Sequence, residues 1–177
     1  METTATYWEA RIKTYGFHTR TELCLFQLTV EHFRIALLGQ KFCRMGEEEI
    51  PLMLTFARDT PQGLSASFVV PRLLEGRVRE MLQEDESLAR DKASTQALPV
   101  EIVFFYGPHF GDRYGIAEAT LHPLEGCGIQ PIAAACSGSC VYLVLPEGRS
   151  EEAVRVLSQT FEIPRASSQR SPGGSQG

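Results

Sequence analysis

Three glycines recur at four-residue spacing in the segment 107–115, between an apolar run that predicts a strand and a pattern that predicts a helix. They are Gly107, Gly111 and Gly115. Such a turn lets backbone N–H groups converge, and the N-terminus of the helix adds partial positive charge, so a carboxylate would be stabilised there. The same glycines also fit a plain turn. No Gly-Lys-Ser/Thr sequence follows them, so nucleotide binding is not indicated.

An ammonium group on the same ligand needs hydrogen-bond acceptors. The sequence offers Asp112 and the backbone carbonyls of a predicted strand near Ile129 and Gln130. Asp112 equally fits the N-cap of the following helix. We therefore predict a cleft for a free amino acid, with the candidate ligand-binding residues Gly107, Pro108, His109, Phe110, Gly111, Asp112, Tyr114, Gly115, Ile116, Ile129, Gln130 and Ile132.

Cysteine and histidine chemistry is less well supported. The five cysteines are an odd number spread through apolar segments, which predicts free and mostly buried thiols rather than a disulfide framework. Cys136 and Cys140, taken with His109 and His122, lack the spacing of a metal site or of a Cys/His catalytic pair. We therefore predict no metal, no cofactor and no catalytic residue. A small cysteine-dependent enzyme is the least favoured alternative.

The composition excludes two classes of partner. With 43% hydrophobic residues in 177, the chain can bury a core as one domain or two small ones. The net charge of −5 argues against binding the phosphate backbone of nucleic acid, which requires clustered Lys and Arg. No apolar run approaches the roughly 18 residues of a membrane span, and the polar N-terminus lacks a signal-peptide core. We expect a cytoplasmic protein with no nucleic acid or membrane partner.

Hydrophobic periodicity predicts strand, helix, strand, strand, helix in the first half. Trp8, Ile12 and Tyr15 first suggest a short amphipathic helix that Gly16 ends. Alternating patterns typical of strands and patterns with the helical period then follow along the chain, and a polar stretch ends the first half. The predicted elements are a strand over 22–30, a helix over 33–45, hairpin strands over 50–56 and 64–70, and a helix from Pro71.

The second half repeats this order, which determines the predicted fold. Pro123 interrupts the first helix of this half, so we expect a kink or early end there. Ser150 fits the N-cap of the last helix. The elements are a strand over 101–106, a helix over 112–126, strands over 129–136 and 141–145, and a helix from Ser150.

Two βαββα units with their helices on one face of an antiparallel sheet form an α+β, ferredoxin-like fold. The polar tail lacks the apolar residues that could offset the entropy of ordering it. We predict an N-terminal lead-in over 1–20, a first repeat over 21–97, a second repeat over 98–163 and a disordered tail over 164–177.

The segment 100–163 resembles the last ACT domain of aspartokinases, a family that senses lysine, threonine or related amino acids. Tyr114-Gly115-Ile116-Ala117 is similar to the family's Pro-Gly-Val-Ala helix start, and Gly128-Ile129-Gln130-Pro131 to its Gly-Ile-Asn-Ile motif. Residues 102–107 match its strand ending in Val-Gly, and residues 153–161 match its closing Ala-Val-x-x-Leu-His-x-x-Phe pattern. The first half is similar in element order only.

The departures from the family pattern are specific. Gln130 replaces the asparagine that holds the effector in the family, and Pro131 removes a strand donor. The first-half loop Thr29-Val30-Glu31-His32 lacks the glycine and proline of an effector loop, so we expect that repeat to be structural. The chain has no room for the kinase portion, so the resemblance does not carry kinase activity.

The resemblance implies a stand-alone regulatory module that binds a small amino acid of the aspartate family and signals to a partner protein. We expect a homodimer, because small ferredoxin-like sheets leave unpaired edges and ACT relatives place effector sites at such interfaces. The alternative is a structural or dimerisation module whose ligand sites have decayed.

Overall fold

A computed structural model describes residues 11–84 and 96–163, and the predicted tail lies outside them. Both halves have the predicted βαββα order, which confirms the α+β fold class. The elements are β1 (Ile12–Lys13), β2 (Phe17–Val30), α1 (Ile35–Glu47), β3 (Leu54–Thr60), β4 (Gly63–Pro71), α2 (Glu75–Gln83), β5 (Gln96–Tyr106), α3 (Ile116–Gly126), β6 (Ala133–Ser137), β7 (Cys140–Pro146), α4 (Ser150–Thr160) and β8 (Phe161–Glu162).

The two units share one six-stranded antiparallel sheet in the order β3-β4-β2-β5-β7-β6. Each unit contributes three strands, and the first strands of the units, β2 and β5, pair with each other at the centre. Leu25 lies opposite Leu98 at this junction. The outer edges of the sheet are therefore β3 in the first unit and β6 in the second.

The helices cover one face of the sheet and bury a core in each unit. In the first unit, alternate residues of β2 point towards α1 and α2, and the ring of Phe26 stacks on that of Phe68 at 5.4 Å between centroids. In the second unit, Leu143 of β7 packs with Leu157 of α4. The buried residues line up in this way because side chains alternate along a strand and recur with the helical period along the facing helices.

The opposite face of the sheet holds a third hydrophobic cluster that contains no helical residue among those described. Leu25, Val69 and Val144 are nevertheless fully buried there. Residues at the two sheet edges, including Met53 and Ile132, pack against this cluster, so the sheet curls and partly encloses its own face.

The predicted N-terminal helix is wrong within the described residues. Ile12 and Lys13 form a strand that pairs in parallel with Phe161 and Glu162, while Trp8 lies outside the described residues. The central strands also begin earlier than the alternation indicated, at Phe17 and Gln96. Their added residues pair mainly across the β2–β5 junction, a long-range contact that local periodicity does not encode.

The helix predicted from Asp112 begins later than expected. A 3-10 turn covers Phe110–Asp112, and α3 starts at Ile116 with Gly115 as its N-cap. Asp112 is therefore not the N-cap of α3. Pro123 lies inside α3, which continues to Gly126, so the expected early end is absent.

The five cysteines are free, as expected, but the prediction that most are buried is wrong. Cys24 is buried, whereas Cys43, Cys127 and Cys136 are exposed. Burial, together with the charge of Glu75, raises the pKa of the Cys24 thiol to about 11. None of the helices in the described residues is long and apolar enough to cross a membrane.

Candidate functional site

Gly107 leaves β5 at a point where the backbone approaches a neighbouring segment closely. A Cβ atom at this position would lie 2.3 Å from the carbonyl oxygen of Lys13 and 2.5 Å from Cε1 of Phe110. Real side chains do not approach so closely, so only glycine fits without a shift of the backbone. Gly107 therefore fixes how the candidate loop leaves the sheet.

Phe110 anchors the candidate loop in the core of the second unit. Its side chain is 5% exposed, and its ring lies 5.9 Å from that of Phe105 and 6.3 Å from that of Phe161 between centroids. Tyr114, by contrast, is 96% exposed and points to solvent. Phe110 thus fixes the loop to the core of the second unit, whereas Tyr114 leaves the loop uncovered.

The backbone of the loop leads into the N-terminus of α3, where the N-cap residue is a glycine. His109 and Gly115 adopt left-handed conformations, with φ of 60° and 85°, and the N–H of Asp112 donates to the carbonyl of His109 at 3.1 Å. Gly115, the N-cap residue, has no side chain that could cap the first turn of α3. The first-turn N–H groups of a helix are donors suited to an anion. Pro108 is half-buried in the same loop, and Ile116 is buried.

The remaining candidate residues lie at the C-terminal end of α3. Ile129 is 1% exposed, and its N–H donates to the carbonyl of Leu124 at 2.9 Å. Gln130 is exposed, and Ile132 packs on the third cluster. The strand predicted from Ile129 begins only at Ala133, because residues 128 and 129 fold back on the helix end instead.

Within one chain, these two groups of candidate residues lie at opposite ends of the sheet. Tyr106, Cys140 and Ser137 form one row across β5, β7 and β6, whereas Ala133 lies four residues back along β6. At a strand rise of 3.3 Å per residue this is about 13 Å. The neighbour of Gly111 is the carbonyl oxygen of Gly138, 3.9 Å from where a Cβ of residue 111 would lie.

The positions of the described residues give no support to a metal site or to a Cys/His catalytic pair. In the described residues no group of three or more His, Cys, Asp and Glu side chains could hold a metal ion. Cys136 pairs with Val141, whereas Cys140 pairs with Ser137. Since neighbouring strand positions alternate in direction, this register directs Cys136 and Cys140 to opposite faces of the hairpin.

No family model matches this sequence, and no curated protein matches it either. Solved structures do. The ligand-free regulatory subunit of aspartate kinase from Thermus thermophilus is 16% identical with a TM-score of 0.72, covering 84% of this chain and 99% of that one. Aspartokinase alpha and beta subunits give 20% identity, a TM-score of 0.69 and coverage of 83% and 97%. Aspartate kinase from Synechocystis is 16% identical with a TM-score of 0.72, and the match covers 93% of this chain but 29% of that one.

These similarities show that the chain has the fold of aspartate kinase regulatory domains, with their paired ACT-type repeats. The match to nearly the whole length of a regulatory subunit, and to under a third of the Synechocystis aspartate kinase chain, agrees with the predicted resemblance. At these identities the comparison shows the fold, so the role of the loop is argued from its own residues below.

Proposed function

We propose that this protein is a regulatory module that binds a small amino acid and transmits its occupancy to a partner protein. The observation that carries the proposal is the correspondence of the described chain to almost an entire regulatory subunit of an aspartate kinase. The module acts by binding, and we assign it no catalytic residue.

The proposed ligand site is the loop 107–115 together with the start of α3. Backbone N–H groups at the helix N-terminus, where the N-cap residue is Gly115, hold the ligand carboxylate. Asp112, exposed beside them, accepts from the ammonium group. A zwitterion therefore meets complementary charges, and each contact is charge-assisted.

A second copy of the chain completes this site in the proposal. The edge strand β6 contains Ala133, Ala134, Ala135, Cys136 and Ser137, with no charge or proline to protect it from pairing. The other edge, β3, carries Arg58 and Asp59. We therefore place the dimer contact at β6.

Antiparallel pairing of two β6 strands about Ala135 would put residue 138 of one copy beside residue 132 of the other. Gly138 borders Gly111 in this chain, so the partner's Ile132 and Gln130 would come next to the loop. The residues that one chain separates would then meet across the interface.

The second candidate is a structural or dimerisation module without a ligand. Two observations favour it: Gln130 and Pro131 stand where the aspartokinase motif has other residues, and the candidate residues do not meet within one chain. This alternative keeps the β6 dimer but predicts no response to amino acids.

A thermal-shift screen against the standard amino acids separates the two candidates, because a ligand that binds only the folded state raises Tm. We expect at least one amino acid to raise Tm, and Gly111→Val to abolish that rise without changing the Tm of the free protein. Space for the new side chain is available, since the nearest atom to a Cβ at Gly111 is 3.9 Å away.

Gly39→Val in α1 is the matched control, because a Cβ at Gly39 meets nothing within 4 Å and the position is remote from the loop. This variant should keep the ligand response. If no amino acid changes Tm, the structural role is the correct one.

A further inference from the structure

Two clefts open on the sheet face that the helices do not cover. The larger, of about 680 Å³, is bordered by residues 20–23 of β2, by Met53 and by the ion pair between Arg72 and Glu147. The smaller, of about 330 Å³, is lined by Arg20, Leu52, Met53, Ile102, Phe104 and Tyr142. Because Arg20 and Met53 line both, the two clefts meet at these side chains.

A β-bulge shapes the wall of the larger cleft. Arg20 pairs with Ile102, and Leu23 pairs with Val100, so β2 contains one residue more than β5 over this stretch. Within the bulge Glu22 has a φ of 56°, a left-handed conformation that is unfavourable for glutamate. Bulges redirect side chains, and strained backbone concentrates at functional sites.

Arg20 provides a positive charge where the clefts meet. Arg72 and Glu147 pair and compensate each other, whereas no carboxylate in the described part of the chain pairs with Arg20. Its guanidinium lies 5.9 Å from the centroid of the Phe104 ring. The side chain is exposed, so its donors can reach an anion in the cleft.

The smaller cleft has an aromatic floor. The ring of Phe104 stacks between those of His18 at 5.0 Å and Tyr142 at 5.8 Å. Leu52 and Met53 approach from the curled edge of the first unit and form the facing apolar wall. A flat apolar ring bound here would contact aromatic side chains and a flexible methionine, both of which favour aromatic partners.

From this geometry we propose a second ligand site that binds a small aromatic carboxylate. The ligand ring occupies the smaller cleft between the Met53 wall and the Phe104–Tyr142 floor, and its carboxylate is held by Arg20. None of the loop residues 107–115 lines either cleft, so this site is separate from the amino-acid site proposed above.

Phenylacetate is a suitable probe, because it carries the ring and the carboxylate but no ammonium group. We expect saturable binding by isothermal titration calorimetry, together with shifts of the Met53 and Ile102 methyl signals in NMR spectra. Acetate and phenethylamine, which lack the ring and the negative charge respectively, should not bind.

Arg20→Gln should raise the Kd for phenylacetate by about tenfold or more, since it removes a charge-assisted contact. Arg20→Lys should retain part of the affinity. Arg58→Gln is the matched control, because Arg58 is an exposed arginine on β3 outside both clefts. This variant and Gly111→Val should both bind phenylacetate as the native protein does.

The proposal fails if phenylacetate does not bind the native protein, or if its binding does not shift the Met53 and Ile102 methyl signals. It also fails if Arg20→Gln binds phenylacetate unchanged, or if phenethylamine binds as well as phenylacetate. The methyl shifts locate the ligand in the native protein, so the test does not depend on the folding of any variant.

Discussion

The carboxylate of Glu101 accepts a hydrogen bond at 2.8 Å from the backbone N–H of Ser150, 49 residues further along the chain. Ser150 is the first residue of α4, so the negative charge lies at the positive end of a helix. Burial alone would raise the pKa of Glu101, but hydrogen bonds from Ser150, Gly148 and Arg149 outweigh it and hold the pKa below its ordinary value. This glutamate joins β5 to α4.

We expect Glu101→Gln to lower the free energy of unfolding by about 1 kcal/mol near neutral pH. The folded chain binds this proton more weakly than the unfolded chain. The stabilisation is therefore complete above the unfolded pKa of about 4.3 and is lost as the pH falls through the lower folded pKa. Urea unfolding of both proteins from neutral to acidic pH should show the difference shrinking. Glu80→Gln, an exposed change in α2, is the control and should show little difference throughout.

Gly107→Ala should destabilise the fold, whereas Gly111→Ala should not. The Cβ added at residue 107 collides with the backbone of Lys13 at 2.3 Å, and the one at residue 111 has its nearest neighbour at 3.9 Å. Forced overpacking of this kind costs about 1–3 kcal/mol. Chemical denaturation of the two variants measures the contrast, and equal stabilities would show that the contact with Lys13 relaxes at little cost.

Glu22→Gly should stabilise the protein by about 0.5–1 kcal/mol. Glycine removes the strain of the left-handed conformation, and its greater freedom in the unfolded chain offsets part of that gain. Thr21→Gly, at the neighbouring bulge residue without a positive φ, should instead be destabilising. Thermal and urea unfolding of both variants measure these opposite signs, and a loss of stability in Glu22→Gly would contradict the strain argument.

Ala134→Lys should convert the proposed dimer to a monomer. A lysine on an edge strand opposes strand addition, and two copies paired about Ala135 would bring two such charges close together. Ala57→Lys, at an exposed position on the other edge strand, should leave the dimer intact. Sedimentation equilibrium of the native protein and both variants gives the masses. A native monomer would rule out the proposed dimer, and a dimer broken by Ala57→Lys alone would place the contact elsewhere.

The repeated element order was predictable from the sequence because each element is a local pattern. The alternation of Cys24, Phe26 and Leu28 indicates β2, and the spacing of Val154, Leu157 and Phe161 indicates the stripe of α4, although the structure ends that helix at Thr160. Tertiary pairing determines the element ends instead. Local periodicity could not show that Ile12 pairs with Phe161 or that β5 extends back to Gln96.

The candidate site was predictable only in part. Glycine spacing correctly marks a turn at 107–115, but it cannot distinguish Gly107, which steric contact requires, from Gly111, which has free space. Nothing local distinguishes Glu101 from other strand residues, although it caps a helix far along the chain. Arg20 likewise has significance only because the curled sheet brings Met53 near it.

The pairing of β2 with β5 has a consequence for synthesis on the ribosome. β2, β3 and β4 emerge well before β5, so the first unit has β2 as a bare edge, with Leu23 and Leu25 uncovered, until residue 96 and those after it arrive. Nascent chains in this state can pair with one another through that edge and aggregate. A chain terminated just before Gln96 would keep this apolar edge permanently, so we expect the first unit to require the second for solubility.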